Sequence, residues 1–145
     1  MGSHIIQEKF ENLDMNNRDV VVEQAKTEVL SLLKRTIRPE FLNRIDEIVM
    51  FTPLNKFEVR QIVEIQILAL SKMLAKKNLK LEIDALAIDH LAEVGFEPQF
   101  GARPIKRVIQ REILNELSKQ ILAGKISTDG TIRIGFRDEN LVFGN

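Results

Sequence analysis

No cysteine occurs anywhere in the chain, which excludes disulfides and thiol chemistry and fits a reducing, cytoplasmic setting. With only His4 and His90 as histidines, a zinc site would lack most of its usual ligands, so no metal site is expected. Nor does any apolar run approach the roughly 18 residues that a membrane-spanning helix requires. Lys plus Arg and Asp plus Glu stand at 21 each. The whole molecule therefore offers no net field to draw it to nucleic acid or to an anionic membrane, and such a role would need a local patch. Three catalytic signatures are missing as well: a GxxxxGK[ST] phosphate loop, an apolar run ending in paired acidic residues for magnesium, and a nucleophile beside a base. By itself the chain is not expected to hold a complete nucleotide-hydrolysing site.

What is present is enough for one ordinary domain. A compact chain of 145 residues buries roughly 68–70% of its unfolded surface, and contents of 44% hydrophobic and 29% charged residues are those of a globular protein. The opening "MGSH" reads equally as a cloning remnant or as native sequence and has no signal-peptide character. Val21, Val22, Ala25, Val29, Leu32 and Leu33 recur at helical spacing and predict a helix from about Arg18 to Arg35, with Asn16 or Asn17 as N-cap. Pro39 and Glu40 suit the first turn of a short helix running to Asn43 or Arg44. "EIVMF", Glu47 to Phe51, then reads as an apolar strand of the kind found inside parallel sheets, ended by Pro53.

A second group of elements follows that proline. Asn55 and Glu58 have the spacing of a capping box ahead of the stripe Val59, Ile62, Val63, Ile67, Leu70 and Leu74, and Lys76, Lys77 and Asn78 close that helix. "LKLEI", Leu79 to Ile83, alternates as a half-buried strand does. Asp84 is placed to cap a helix through Val94, with Gly95 just past its end. Apolar residues from Ile105 to Ile121 predict a helix over Arg103 to Ala123, ended by Gly124, and "TIRIGF" with "LVF" reads as a terminal hairpin around Asp138 to Asn140. The expected fold class is thus α/β, in the α+β sense. A boundary is expected near Pro53, separating residues 1–53, the helical and strand tail of a sheet-bearing domain, from residues 54–145, which can close a small core of their own. Glu47 to Phe51, without sheet neighbours, should leave residues 5–52 mobile, repacked, or paired with another chain at an exposed edge.

Two stretches have the character of sites. In "GARPIKR", residues 101–107, Gly101 permits a tight turn and Pro104 suits a first helical turn, while Arg103, Lys106 and Arg107, with Arg111 beyond, form a cationic face opposite Ile105, Val108 and Ile109. Cations at the positive end of a helix dipole are unfavourable for the helix alone and fit an anion bound there, phosphate above all. The plainer reading is a solvated basic face. In "RPEFLNRID", residues 38–46, Arg44 stands between a short helix and an apolar segment, placed either to present its guanidinium to a partner or to pair with Asp46 or Glu47; Arg38, before proline, anchors the turn. A nucleic-acid role for the basic helix start lacks interleaved aromatics and a net positive charge. Ile134-Gly135-Phe136, like the protease-docking tripeptide of some unfoldases, lies in an expected strand and reads as core.

Taken together, "RPEFLNRIDEIVMF" and, about sixty residues later, "GARPIKR" resemble the Clp/Hsp100 family of AAA+ ATPases, over the chain from Gly2 to about Phe136. "PQFGARPIKRVIQREILNELSKQILAGKI" is most similar to the disaggregase branch, and the protease-linked unfoldases of the family share both motifs. The resemblance implies the C-terminal part of a second AAA+ module: the end of its large subdomain, then the small lid subdomain. It implies that Arg44 is an arginine finger reaching the ATP of a neighbouring subunit in a homohexamer. Arg103, with Gly101 and Ala102 as its motif and Lys106 and Arg107 in support, is implied to be sensor 2, contacting the phosphates of its own subunit's Mg-ATP. Gly2-Ser3 matches the pair that follows the family's sensor 1 asparagine; that asparagine, the Walker motifs, the pore loop, the middle domain and the N-terminal domain fall outside this sequence. Implied partners are neighbouring subunits, the rest of the same module, unfolded or aggregated protein and an Hsp70-type chaperone through other parts, with no nucleic acid and no membrane.

Overall fold

The computed structural model describes residues 2–11 and 17–145; the N-cap expectation at Asn16 lies outside them. The chain divides into two compact units, Met1–Pro53 and Leu54–Asn145.

Among its described residues the first unit holds three helices, α1 (Ser3–Phe10), α2 (Arg18–Thr36) and α3 (Pro39–Leu42). Helix α2 runs over the expected residues, with Asn17 at its N-cap position. Helix α1, not expected from so short a pattern, packs on α2 and is tied to it by Lys9 Nζ to Glu28 Oε1 at 2.8 Å. Pro39 occupies the first turn of α3, where its missing N–H costs nothing. Glu47 to Phe51 is not a strand. The reason is physical: a strand exists through hydrogen bonds to a neighbour, and none of the other described residues of this unit is extended and paired. Ala25 is the one buried apolar side chain among the described residues of the unit, while Val20, Phe41, Ile45, Ile48, Val49 and Phe51 are exposed.

The second unit carries the core. Helix α4 (Lys56–Ala75) opens with the expected capping box, Glu58 N donating to Asn55 Oδ1 at 2.7 Å and Asn55 N to Glu58 Oε2 at 2.9 Å, and buries Val59, Val63, Ile67, Leu70 and Leu74 along one face. Strand β1 (Leu79–Ile83) leads to helix α5 (Ala85–Gly95), whose amide at Ala87 donates to the Asp84 carboxylate at 2.7 Å. Gly95 ends α5 as a helical residue rather than sitting beyond it at positive φ. Its lack of a side chain serves packing instead, since a Cβ there would lie 2.7 Å from Ile105 Cγ1.

The expected Arg103 to Ala123 helix begins two residues later and is not uniform. It runs as α6 (Ile105–Ile109), a π-helical stretch (Gln110–Asn115) and α7 (Glu116–Leu122). The hairpin forms as expected from β2 (Gly130–Arg137) and β3 (Asn140–Gly144), turned by Asp138 and Glu139 at φ 51° and 61°. The three-stranded sheet has the order β1-β2-β3, with β1 parallel to β2 from Leu79↔Gly130 to Ile83↔Ile134 and β2 antiparallel to β3. Ile132 and Ile134 of β2 face Leu91, Ile105, Ile113 and Leu117 in a single cluster. Ile134-Gly135-Phe136 is therefore a core strand.

Candidate functional site

The loop between α5 and α6 is built to hold one arginine outward. Glu97 and Gly101 bond to each other in both directions, Glu97 N to Gly101 O at 3.0 Å and Gly101 N to Glu97 O at 2.6 Å, which closes the loop into a tight turn. Gly101 has φ 62°, a left-handed conformation that glycine adopts without the penalty a Cβ brings. Ala102 packs against the core cluster and Ile105 is fully buried, so both flanks of Arg103 are pinned. The Arg103 amide donates to Phe100 O at 3.3 Å, and Pro104, at φ −67°, leads into α6 with its carbonyl accepting from Val108 N at 2.9 Å.

Arg103 itself is exposed, as are Lys106 and Arg107. None of the three is in an ion pair among the described residues, and no acidic residue lies in the first turn of α6. Three unneutralised cations thus meet the positive end of the helix, which leaves that corner of the unit electropositive. Arg111 is separate from them. It lies in the π-helical stretch, where Arg111 Nη2 stands 3.3 Å from Glu112 Oε1 while Glu112 Oε2 stands 3.1 Å from His90 Nε2. The His90 ring in turn stacks on Phe136, centroids 4.5 Å apart. Sequence periodicity placed Arg111 on the same basic face because it assumed a uniform helix; in the structure its guanidinium pairs with Glu112, so it is not among the unneutralised cations.

In the first unit, Arg38 sits extended before Pro39, and α3 ends in a turn in which the Arg44 amide donates to Phe41 O at 3.1 Å. The Arg44 side chain is exposed and is paired with neither Asp46 nor Glu47. Of the two readings open for Arg44, the internal salt bridge is not formed. No group of three or more residues suited to holding a metal is found among the described residues, and none of their helices is long and apolar enough to cross a membrane.

A profile for the C-terminal, D2-small domain of the ClpB protein matches residues 54–134, more than half of the chain and nearly all of the second unit. The chain belongs to the ClpB family. It is 48% identical over its full length to the chaperone protein ClpB of Bacteroides thetaiotaomicron, of which it spans 17%. It is 44% identical over its full length to the chaperone protein ClpB of Porphyromonas gingivalis, again spanning 17%. With the probable chaperone protein ClpB 1 of Chlorobaculum tepidum it shares 43% identity over 98% of its residues, or 32% of that protein. The chain therefore spans between about a sixth and a third of these ClpB relatives. Both the turn carrying Arg103 and the α3 turn carrying Arg44 lie within the aligned length of the two full-length matches.

Proposed function

We propose that this chain is the nucleotide-sensing C-terminal part of an ATP-driven ClpB chaperone, acting in the cytoplasm on unfolded or aggregated protein as a homohexamer. The single observation that supports it best is the pinned turn at Gly101-Ala102-Arg103, which holds a cation outward with no carboxylate partner. Residues 1–53 are the end of the module's large subdomain in this reading, and residues 54–145 are its lid.

The residues fit a polyphosphate. Arg103, Lys106 and Arg107 are exposed donors of one sign, unneutralised, beside amides at the start of a helix. Bound Mg-ATP supplies the phosphoryl transfer whose charge such donors stabilise. Arg103 acts in its own subunit as sensor 2: rigidly mounted on the lid's core, it turns the presence of a terminal phosphate into a rotation of the lid. Arg44 acts on the neighbouring subunit as the arginine finger, its guanidinium presented from a turn rather than consumed in a local pair.

The test places this chain at the end of a ring-forming ClpB. Arg103→Ala should reduce hydrolysis by the subunit that carries it. Arg44→Ala subunits, mixed with subunits whose own sites are intact, should reduce hydrolysis by their neighbours, toward the thousand-fold scale of arginine fingers elsewhere. An Arg44 effect confined to its own subunit would sink the trans assignment. In the isolated 145-residue chain, a fluorescent ATP analogue should show no saturable binding below about millimolar concentration. Tight binding would mean that the chain contains a complete site.

A further inference from the structure

His90 and Glu112 stand on rows of their helices that are otherwise apolar. His90 lies three residues after the buried Ala87 of α5, and Glu112 three after the buried Ile109, inside the π-helical stretch of the long helix. Their side chains are only 19% and 24% exposed, and polar groups so placed need partners. Each is the partner of the other, His90 Nε2 donating to Glu112 Oε2 across 3.1 Å. Phe136 of β2 stacks on the imidazole with 22° between the ring planes, which orients its nitrogen. Among the described residues this is the one side-chain hydrogen bond between α5 and the long helix. It joins positions 22 apart in sequence, and the segment it closes carries Gly101, Arg103, Lys106 and Arg107.

We propose that His90 and Glu112 form a clasp that positions Arg103: their bond fixes how the long helix is rotated against α5, and with it where the cations at the start of that helix point. Apolar packing does not supply this. Ile105 against Gly95 and Ala102 against the core hold the segment close, but hydrophobic contact is non-directional, whereas a hydrogen bond weakens steeply when its partners turn. Nor does stability call for a polar pair here, because apolar side chains of similar volume in place of a buried charged pair are often neutral or stabilising. What the pair adds is a fixed register. Arg111 has a lesser part, since its side chain is 63% exposed where it meets Glu112 and exposed pairs contribute little. Neither His90 nor Glu112 belongs to the cationic group, so both are positioning residues.

The test uses the 145-residue chain, whose lack of cysteine allows a single nitroxide label at Arg103→Cys and, in a separate sample, at Lys125→Cys, outside the closed segment. Replacing the pair by His90→Leu with Glu112→Leu should keep or raise the melting temperature and yet make the label at 103 more mobile in its electron paramagnetic resonance spectrum. The label at 125 should not change. Glu112→Gln, whose amide oxygen still accepts from His90, should retain the native spectrum at 103; if the leucine pair does not fold, Glu112→Ala removes the bond instead. An unchanged spectrum at 103 overturns the proposal. So does equal loosening at 103 and 125, or a Glu112→Gln variant as mobile at 103 as the leucine pair. A second arm rests on the nucleotide reading of Arg103. In a ring-forming ClpB ending in this chain, the leucine pair should lower ATP hydrolysis by up to about a hundred-fold, the scale of a small misplacement, and should add nothing to Arg103→Ala. Losses that add overturn the clasp. If Arg103→Ala itself has no effect, the nucleotide reading fails while the label spectra still decide the clasp.

Discussion

At the scale of single residues, three glycine or left-handed positions separate what a sequence states from what packing states. Gly101 is legible as a turn glycine because the motif places it before a proline-started helix, and its φ of 62° requires no neighbour to explain it. Gly95 looks the same in sequence, a glycine after an amphipathic run, yet its role comes from Ile105, ten residues away and pressed against it. Gly95→Ala should therefore destabilise the second unit by about 1–3 kcal/mol, the scale of an overpacked core site, because the Cβ would also approach the Ile105 backbone to 3.1 Å. Urea unfolding measures this, and an unchanged midpoint would refute the packing account. Glu139 is the converse case. It turns the hairpin at φ 61° with a side chain that disfavours that conformation, so Glu139→Gly should raise stability by about 1 kcal/mol, seen as a higher melting temperature.

Elements were legible wherever their cause is local. The Asn55 to Glu58 capping box closes within four residues and forms as read, so Asn55→Ala should cost about 1 kcal/mol in urea unfolding. The long helix after Pro104 was legible in extent but not in pitch. Ile105, Ile109, Ile113 and Leu117 are all buried although they recur every four residues, and in an α-helix each such step turns the face by about 40° beyond a full circle. The π-helical stretch from Gln110 to Asn115 absorbs that excess by widening one turn. Deleting Gln110 shortens the Ile109 to Ile113 interval to three, which a plain α-helix accommodates. That variant should keep a cooperative thermal transition and full helical circular dichroism. Loss of cooperative unfolding would mean that the wide turn itself, with Glu112 bridging His90 and Arg111, is required by the core. Glu47 to Phe51 shows the opposite limit, since a strand's cause is never local.

For the molecule as a whole, the two units differ in how much they bury. The second concentrates helices and sheet around one cluster, whereas the first buries only Ala25 among its described apolar side chains. Residues 54–145 produced alone should unfold in one transition at nearly the melting temperature of the full chain, because a unit with so small a core adds little of its own. A drop of ten degrees or more would show that residues 1–53 help to hold the second unit. The sequence by itself determined the α+β class, the caps at Asn55 and Asp84, the hairpin and the family, since those rest on spacing, turn chemistry and motif, each read within a few residues. Tertiary structure alone decided that Gly95 is a packing glycine, that Arg111 leaves the cationic group for Glu112, that the long helix carries a wide turn and that Glu47 to Phe51 stands without a sheet. Each of these depends on a partner distant in sequence or lacking, and no periodicity along the chain encodes which surface meets which.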